Sequence, residues 1–299
     1  METTAPRLGP AILWEAARPR TLPASVAPVL VGTAAATRDG VLVGRFALAF
    51  AVALLLQVAV NYANDYFDGV RGVDTHERVG PRRAVAAGLV TPDQMRTAML
   101  VTLALAGLAG LALAALAGWE LLLVGAAALL ATLGYSGGPR PYASVGLGEV
   151  FVFVFFGVVA TVGSAYVQDE RLTLVPVLAS LPMGFLATAL LVVNNLRDIP
   201  TDAAVGKVTL AVRLGDSRTR RIYVGLVAAA VLALVPIVAV TGEVVTALPV
   251  LALPLLARGV ALVRSGATGP ALIAALGHTA RGQLALAVLL TVALLWGAA

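Results

Sequence analysis

The stretch FALAFAVALLLQVAVNYANDYFD (Phe46–Asp68) joins an uncharged run to a cluster of polar side chains. Phe46–Val60 carries no charge and has the apolarity of a membrane helix. It leads directly into Asn61, Asn64, Asp65 and Asp68. A single such run could belong to a soluble core. Here comparable runs recur along all 299 residues, 60% of the chain is hydrophobic, only 12% is charged, and the mean hydropathy is +0.93. Soluble domains carry about 25% charged residues. The runs do not alternate apolar and polar positions as barrel strands do, so the expected fold class is an all-α integral membrane protein. The chain has no cysteine, which removes disulfides, thiolate metal sites and a cysteine nucleophile.

Nine membrane helices are predicted, roughly over 21–37, 41–66, 95–117, 119–135, 146–167, 172–196, 221–241, 243–263 and 281–298. Basic residues set their orientation. With the N-terminus in the cytoplasm, all but Arg38, Arg45 and Arg171 of the 21 Lys and Arg residues fall on the cytoplasmic side. The chain is therefore expected in the cytoplasmic membrane, multi-pass, in contact with membrane lipid. Its N-terminus and two long polar loops, 67–94 and 197–220, should face the cytoplasm. The pI of about 10.1 reflects this topology, and no nucleic-acid partner is expected.

The second loop opens with NNLRDIPTD (Asn194–Asp202). Aligning Asn61 with Asn194 also aligns Asp65 with Asp198, four spans later. The match predicts related halves, spans one to four and five to eight, with a ninth helix appended, in a single transmembrane domain over 1–299. Asn61, Asp65 and Asp68 follow i, i+4, i+7 and share one helix face; Asn194, Asp198 and Asp202 follow i, i+4, i+8. Pro200 is expected to end or kink its helix, with Asp202 just beyond. Carboxylates at helix C-termini are electrostatically disfavoured unless a cation compensates, so four of them at two such ends call for a divalent metal. Mg²⁺ is the most economical, since it takes oxygen ligands and is commonly held by one or two carboxylates plus substrate phosphates. Arg71, Arg78, Arg197 and Lys207 lie close by in sequence, with Arg82, Arg83 and Arg213. Acids alone would suggest cation transport. Acids with bases at one membrane edge suggest an anion bridged by metal, and a diphosphate fits. Lys207, the single lysine, suits a phosphate oxygen as a compact point charge. Any one arginine here is more often a topology residue. That reading is weaker for Asp65 and Asp198, which lie beside asparagines in matched contexts.

At these residues the chain resembles the UbiA superfamily of membrane prenyltransferases. The two aspartate-rich motifs of that family match Asn61-x-x-x-Asp65-x-x-Asp68 and Asp198-x-x-x-Asp202. Longer likenesses are ARPRTLPASVAPVLVGTA, NYANDYFDGVRGVDTHERVGPRRAVAAGLVTP, YSGGPRPYASVGLGEVFVFVFFG and NNLRDIPTDAAVGKVTLAVRLG. Together they are most similar to the MenA branch, whose acceptor is 1,4-dihydroxy-2-naphthoate. The resemblance implies nine helices around a central cavity, with a polyprenyl diphosphate and Mg²⁺ held by the acidic motifs and the prenyl tail in an apolar groove open to lipid. It implies metal ligation by Asp65, Asp68, Asp198 and Asp202, supported by Asn61, Asn64, Asn194 and Asn195. A Tyr-x-x-x-Lys element of many members is replaced here by Tyr135-Ser-Gly-Gly-Pro-Arg140, with the basic residue one position later. Tyr135 and Arg140 are then candidates for diphosphate or acceptor contact. The implied reaction attacks from the ring carbon bearing the carboxylate and loses diphosphate and CO₂, giving the demethylmenaquinone skeleton for menaquinone biosynthesis. Tyr135 or an aspartate of the second motif is a candidate to take the phenolic proton.

Three further residue groups have two readings each. Arg18, in RPRT, either reaches the diphosphate or sets topology. Glu149 either contacts the acceptor or caps span five. The run FVFVFFG (Phe151–Gly157) is expected to face lipid more readily than to line a cavity. Two alternatives stand beside dihydroxynaphthoate prenylation. One is a different aromatic acceptor, 4-hydroxybenzoate or homogentisate. The other is a cation-coupled transporter, whose acids belong at the midplane rather than at one edge. The dense Asp-Gly-Ala-Arg pattern of CDP-alcohol phosphotransferases is not present.

Overall fold

The computed structural model describes residues 9–36, 40–73 and 82–297, and every regular element among them is helical. A short helix α1 (Pro10–Ala16) precedes nine apolar helices. These are α2 (Pro23–Ala34), α3 (Val43–Val70), α4 (Pro92–Ala117), α5 (Leu121–Ser136), α6 (Gly148–Asp169), α7 (Leu174–Ala204), α8 (Leu210–Thr241), α9 (Val244–Arg264) and α10 (Pro270–Gly297). The predicted spans fall on these nine. Seven are long and apolar enough to cross a membrane, while α2 and α5 are shorter. Large apolar side chains such as Leu108, Leu123, Leu130 and Val235 face outward, as they must where lipid rather than water is the solvent.

Helix α2 is short and internal. It packs against α3, α6, α7 and α10, and most of its side chains are buried. Small residues permit the closest approaches, as in other membrane bundles. A Cβ at Gly32 would collide with the Thr161 carbonyl on α6. One at Gly157 would collide with the backbone of Gly184 on α7. Around Gly157, residues Phe153–Val159 widen into π-helix, a local bulge often found at functional sites.

The two longest connections differ from expectation, and the difference positions the site. Helix α3 runs to Val70 and α7 to Ala204, so both acidic motifs are helical throughout. At about 1.5 Å per residue each helix exceeds 40 Å, against a hydrocarbon core of about 30 Å, so each carries its motif beyond the apolar layer. Pro200 does not end α7. It removes one N–H from the ladder, and Thr201 Oγ1 donates to the Asp198 carbonyl at 3.0 Å beside it. Interior prolines in membrane helices are tolerated when neighbouring groups re-satisfy the backbone. The helix ends instead at Ala204, and just beyond it Gly206, with a φ of +72°, permits the Lys207 N–H to reach the Asp202 carbonyl at 2.9 Å. The expected loop 197–220 is thus two helix ends and a link over 205–209. The other connection folds back as a turn over 84–90. It then enters α4 through a capping box between Thr91 and Gln94.

Candidate active site

Three of the motif asparagines fasten their helix to a neighbouring piece of the site, and the fourth, Asn194, bonds within its own helix. Asn61 Nδ2 donates to the Ala17 carbonyl at 2.8 Å and to Thr21 Oγ1 at 3.2 Å, and Gln57 Nε2 also donates to Thr21 Oγ1 at 3.2 Å. These bonds clamp the turn that carries Arg18. The Arg18 backbone is left-handed, at φ 54° and ψ 71°, an uncommon state for a residue with a Cβ. Asn64 Oδ1 accepts from Ser136 Oγ, which fixes the end of α5 next to Tyr135. Asn195 Nδ2 donates to the buried Glu149 carboxylate at 3.0 Å. Asn194 Oδ1 accepts from Arg197 at 2.9 Å.

The four aspartates are buried at one end of the bundle, among cations. Asp65 accepts from the Ala84 and Val85 backbone N–H groups, at 2.8 Å each, and so holds the returning connection against α3. Asp198 is bound at both oxygens by the Arg197 guanidinium, at 2.7 and 2.8 Å. Asp68 lies 3.7 Å from Arg83 and 3.7 Å from Lys207, while Asp202 lies 3.8 Å from the same Lys207 ammonium. Lys207 therefore bridges the first motif to the second. Tyr135 lies within electrostatic reach of Glu149, Asp68, Arg18 and Asp202.

A cavity of about 470 Å³ opens below this cluster, lined by α2 to α7. Its walls are apolar, from residues such as Val60, Ala106, Leu129 and Leu190. Its polar end is formed by Arg18, Thr21, Gln57, Asn61, Asn64, Tyr135 and Asn194. The aromatic run does not face lipid as expected: Phe151, Phe155 and Phe156 line the cavity. Phe151 stacks on Tyr142 at 4.0 Å and lies 6.1 Å from Phe155, and Tyr142 meets Tyr135 edge-on at 5.4 Å. Phe153 turns away to Phe185. Burial, and Tyr135 beside it, push the Tyr142 phenol above its ordinary range. It therefore stays protonated and donates to the Ala131 carbonyl at 2.8 Å.

The structure thus brings together Asn61, Asn64, Asp65, Asp68, Tyr135, Asn194, Asn195, Arg197, Asp198, Asp202, Lys207 and Arg18, with Glu149 beneath them. It gives Arg71 a different task from the predicted diphosphate contact. Arg71 is exposed, and its guanidinium donates to the carbonyls of Ser136, at 2.6 Å, and Gly138. Arg140 is also exposed and is not among the cavity-lining residues. Arg78 lies outside the described residues. Sequence reasoning missed Thr21, Gln57 and Ser136. Gln57 was visible as the one amide in an otherwise apolar run.

The donor set fits a hard divalent cation. It offers carboxylate and carboxamide oxygens and no sulfur. Among the described residues no three His, Cys, Asp or Glu side chains converge on one point. A Mg²⁺ here would take one or two carboxylates from facing helix ends and complete its shell with water and phosphate oxygens, a usual coordination for this ion.

The fold and this site define a class. The chain belongs to the UbiA prenyltransferase family, which its residues 25–267 match. It is 46% identical over 283 residues to the 1,4-dihydroxy-2-naphthoate octaprenyltransferase of Mycobacterium tuberculosis, covering 94% of this chain and 96% of that one. It is 40% identical over 216 residues to the enzyme of the same description from Escherichia coli, covering 70% of each. Among solved structures, a UbiA homolog from Archaeoglobus fulgidus bound to DMAPP and Mg²⁺ shares the fold. Its TM-score is 0.63 at 17% identity, over 94% of this chain and 99% of that one.

Proposed function

We propose that this protein transfers a polyprenyl group from its diphosphate to 1,4-dihydroxy-2-naphthoate, releasing diphosphate and CO₂ and forming the demethylmenaquinone skeleton. The observation that carries this reading is an apolar, aromatic-walled cavity whose polar end is formed in part by Asn61, Asn64 and Asn194, asparagines of the two acidic motifs that Lys207 bridges. The extent and degree of identity to dihydroxynaphthoate octaprenyltransferases support the choice of acceptor.

The allylic C–O bond breaks and its electrons leave with the diphosphate. Lys207, Arg83 and Arg18 take up the charge that develops there, as cationic donors in a water-poor site. Mg²⁺, held by Asp68 and Asp202 with Asp65 and Asp198 beside them, would act as a Lewis acid toward the same oxygens. The apolar walls receive the prenyl chain and keep water from the allylic cation. The faces of Phe151 and Phe155 offer that cation quadrupolar stabilisation, and the Tyr142–Phe151 stack offers a flat surface to the bicyclic acceptor. The acceptor's carboxylate-bearing carbon forms the new C–C bond. The C–CO₂ bond then breaks, and its electrons restore the aromatic ring. Tyr135, which lines the cavity, stands where it can hold an acceptor hydroxyl group, and Glu149 supports the site through Asn195.

The distribution of basic residues supports a cytoplasmic-membrane protein with its N-terminus and site facing the cytoplasm. The matched motifs on α3 and α7, each helix packed along the next one in sequence, support related halves α2–α5 and α6–α9 with α10 appended.

The test is an acceptor panel. Purified protein is given labelled geranylgeranyl diphosphate and Mg²⁺ with dihydroxynaphthoate, 4-hydroxybenzoate or homogentisate, and products are identified by mass. A decarboxylated prenyl product from dihydroxynaphthoate alone is expected. Preference for another ring sinks the acceptor assignment. Full activity in both Asp65→Ala and Asp198→Ala sinks the site.

A further inference from the structure

Lys207 stands out among the cations of the site by how it is held. Its backbone is fixed: Gly206 turns left-handed, and the Lys207 N–H closes onto the Asp202 carbonyl at 2.9 Å. This cap delivers the side chain back over the end of α7, where a cation is favoured. The ammonium, by contrast, is loosely held. It lies 3.7 Å from Asp68 Oδ2 and 3.8 Å from Asp202 Oδ1, ion-pair distances longer than a good hydrogen bond. Arg197 differs, gripping Asp198 at 2.7 and 2.8 Å through a planar fork. A lysine on a flexible four-carbon stem can change partners where a bidentate arginine cannot do so cheaply.

The ammonium also sits between one carboxylate from each motif. A divalent ion bridging Asp68 and Asp202 would lie within about 4 Å of it, where like charges repel strongly in a partly buried site. Metal and ammonium therefore compete for these two carboxylates. A diphosphate, with several negative charges, removes the conflict by giving the ammonium a new partner.

We propose that Lys207 is a positioning latch. In the substrate-free protein it occupies the cation position between the two acidic motifs, and it yields Asp68 and Asp202 to metal only when it can turn to a diphosphate oxygen. Metal and diphosphate then enter together, rather than metal first. This rests on the reading of the site as a metal–diphosphate site.

The test measures metal binding without turnover. Purified protein in detergent is titrated with Mn²⁺, followed by electron paramagnetic resonance, with and without geranyl diphosphate and with no acceptor. Wild type should bind Mn²⁺ weakly alone and at least tenfold more tightly with geranyl diphosphate. Lys207→Met and Lys207→Gln should bind Mn²⁺ alone at least tenfold more tightly than wild type. They should also bind geranyl diphosphate more weakly and lose most of the coupling. Lys207→Arg, which keeps a cation, should restore weak binding of Mn²⁺ alone. Equal Mn²⁺ affinity in wild type and both neutral variants overturns the latch. If the neutral variants do not fold, the wild-type protein still decides: Mn²⁺ affinity unchanged by geranyl diphosphate overturns it, since coupling between two ligands is reciprocal. Absence of any Mn²⁺ binding, even with geranyl diphosphate, instead overturns the metal–diphosphate reading itself.

Discussion

Asp65 and Asp68 lie on the same turn of α3, yet substitution should separate them. Asp65 accepts two backbone N–H groups, the buried one of Ala84 and the half-buried one of Val85. Asp65→Ala strands both donors, at a cost of about 1–3 kcal/mol. We expect loss of turnover with a drop of several degrees in the thermal midpoint in detergent. Asp68 faces the side chains of Arg83 and Lys207 instead, so Asp68→Ala should abolish turnover with a smaller drop. Equal drops in the two variants would count against the anchoring role. Asn61 makes a subtler case. It reaches Ala17 and Thr21, not a cation, and acts by holding the turn of Arg18. Asn61→Leu should raise KM for the prenyl diphosphate by about 10–100-fold, the usual range for a supporting partner. Combined with Arg18→Ala it should add little, because both changes remove the same contact; fully additive effects would argue for independent roles. The motif asparagines were legible as site residues from their spacing. Their tasks were not, because the partners Ala17, Thr21, Ser136 and Glu149 come from other helices, and no local pattern encodes that meeting.

The same limit applies to whole helices. Nine apolar runs were readable because lipid demands uninterrupted apolar length. Pro200 misled because the proline rule is local, whereas α7 continues through Pro200 to Ala204 with the Thr201 hydroxyl bonding the Asp198 carbonyl beside it. The run Phe151–Gly157 misled for another reason: in a membrane bundle, cavity walls and lipid-facing surfaces are both apolar, so composition does not separate them. What places these rings in the cavity is the approach of α6 to α7 at Gly157 and Gly184, together with the π-helical widening that re-aims the side chains. Gly157→Ala should therefore force the two backbones apart and destabilise the protein by about 1–3 kcal/mol, as overpacking does. It should also disturb the Tyr142–Phe151 stack, so KM for the acceptor should rise more than KM for the diphosphate. An unchanged midpoint and unchanged acceptor KM would remove the glycine contact from the account.

The two ends of the bundle are held by different means, and this makes the coupling between them testable. At the end away from the motifs, Arg45 on α3 binds the Val167 carbonyl and Glu170, at 3.0 and 2.6 Å, and the Leu116 carbonyl of α4. That ties α3, α4 and α6 with no substrate involved. At the motif end, α3 and α7 face each other across Lys207, with carboxylates on both sides of one ammonium. A metal and diphosphate bridging those helices would bind the folded protein and not the unfolded chain. The stabilisation is then set by concentration, about 2.7 kcal/mol at a hundredfold excess over Kd. Mg²⁺ with geranyl diphosphate should raise the thermal midpoint by several degrees, EDTA should cancel the rise, and neither ligand alone should reproduce it. Asp68→Asn and Asp202→Asn should each abolish the shift, because either one breaks the bridge. Arg45→Ala should lower the starting midpoint yet keep the full shift, since it lies outside the bridge. A shift that survived in Asp202→Asn would mean that the first motif alone holds the ligand, and that α7 reaches the site without closing it.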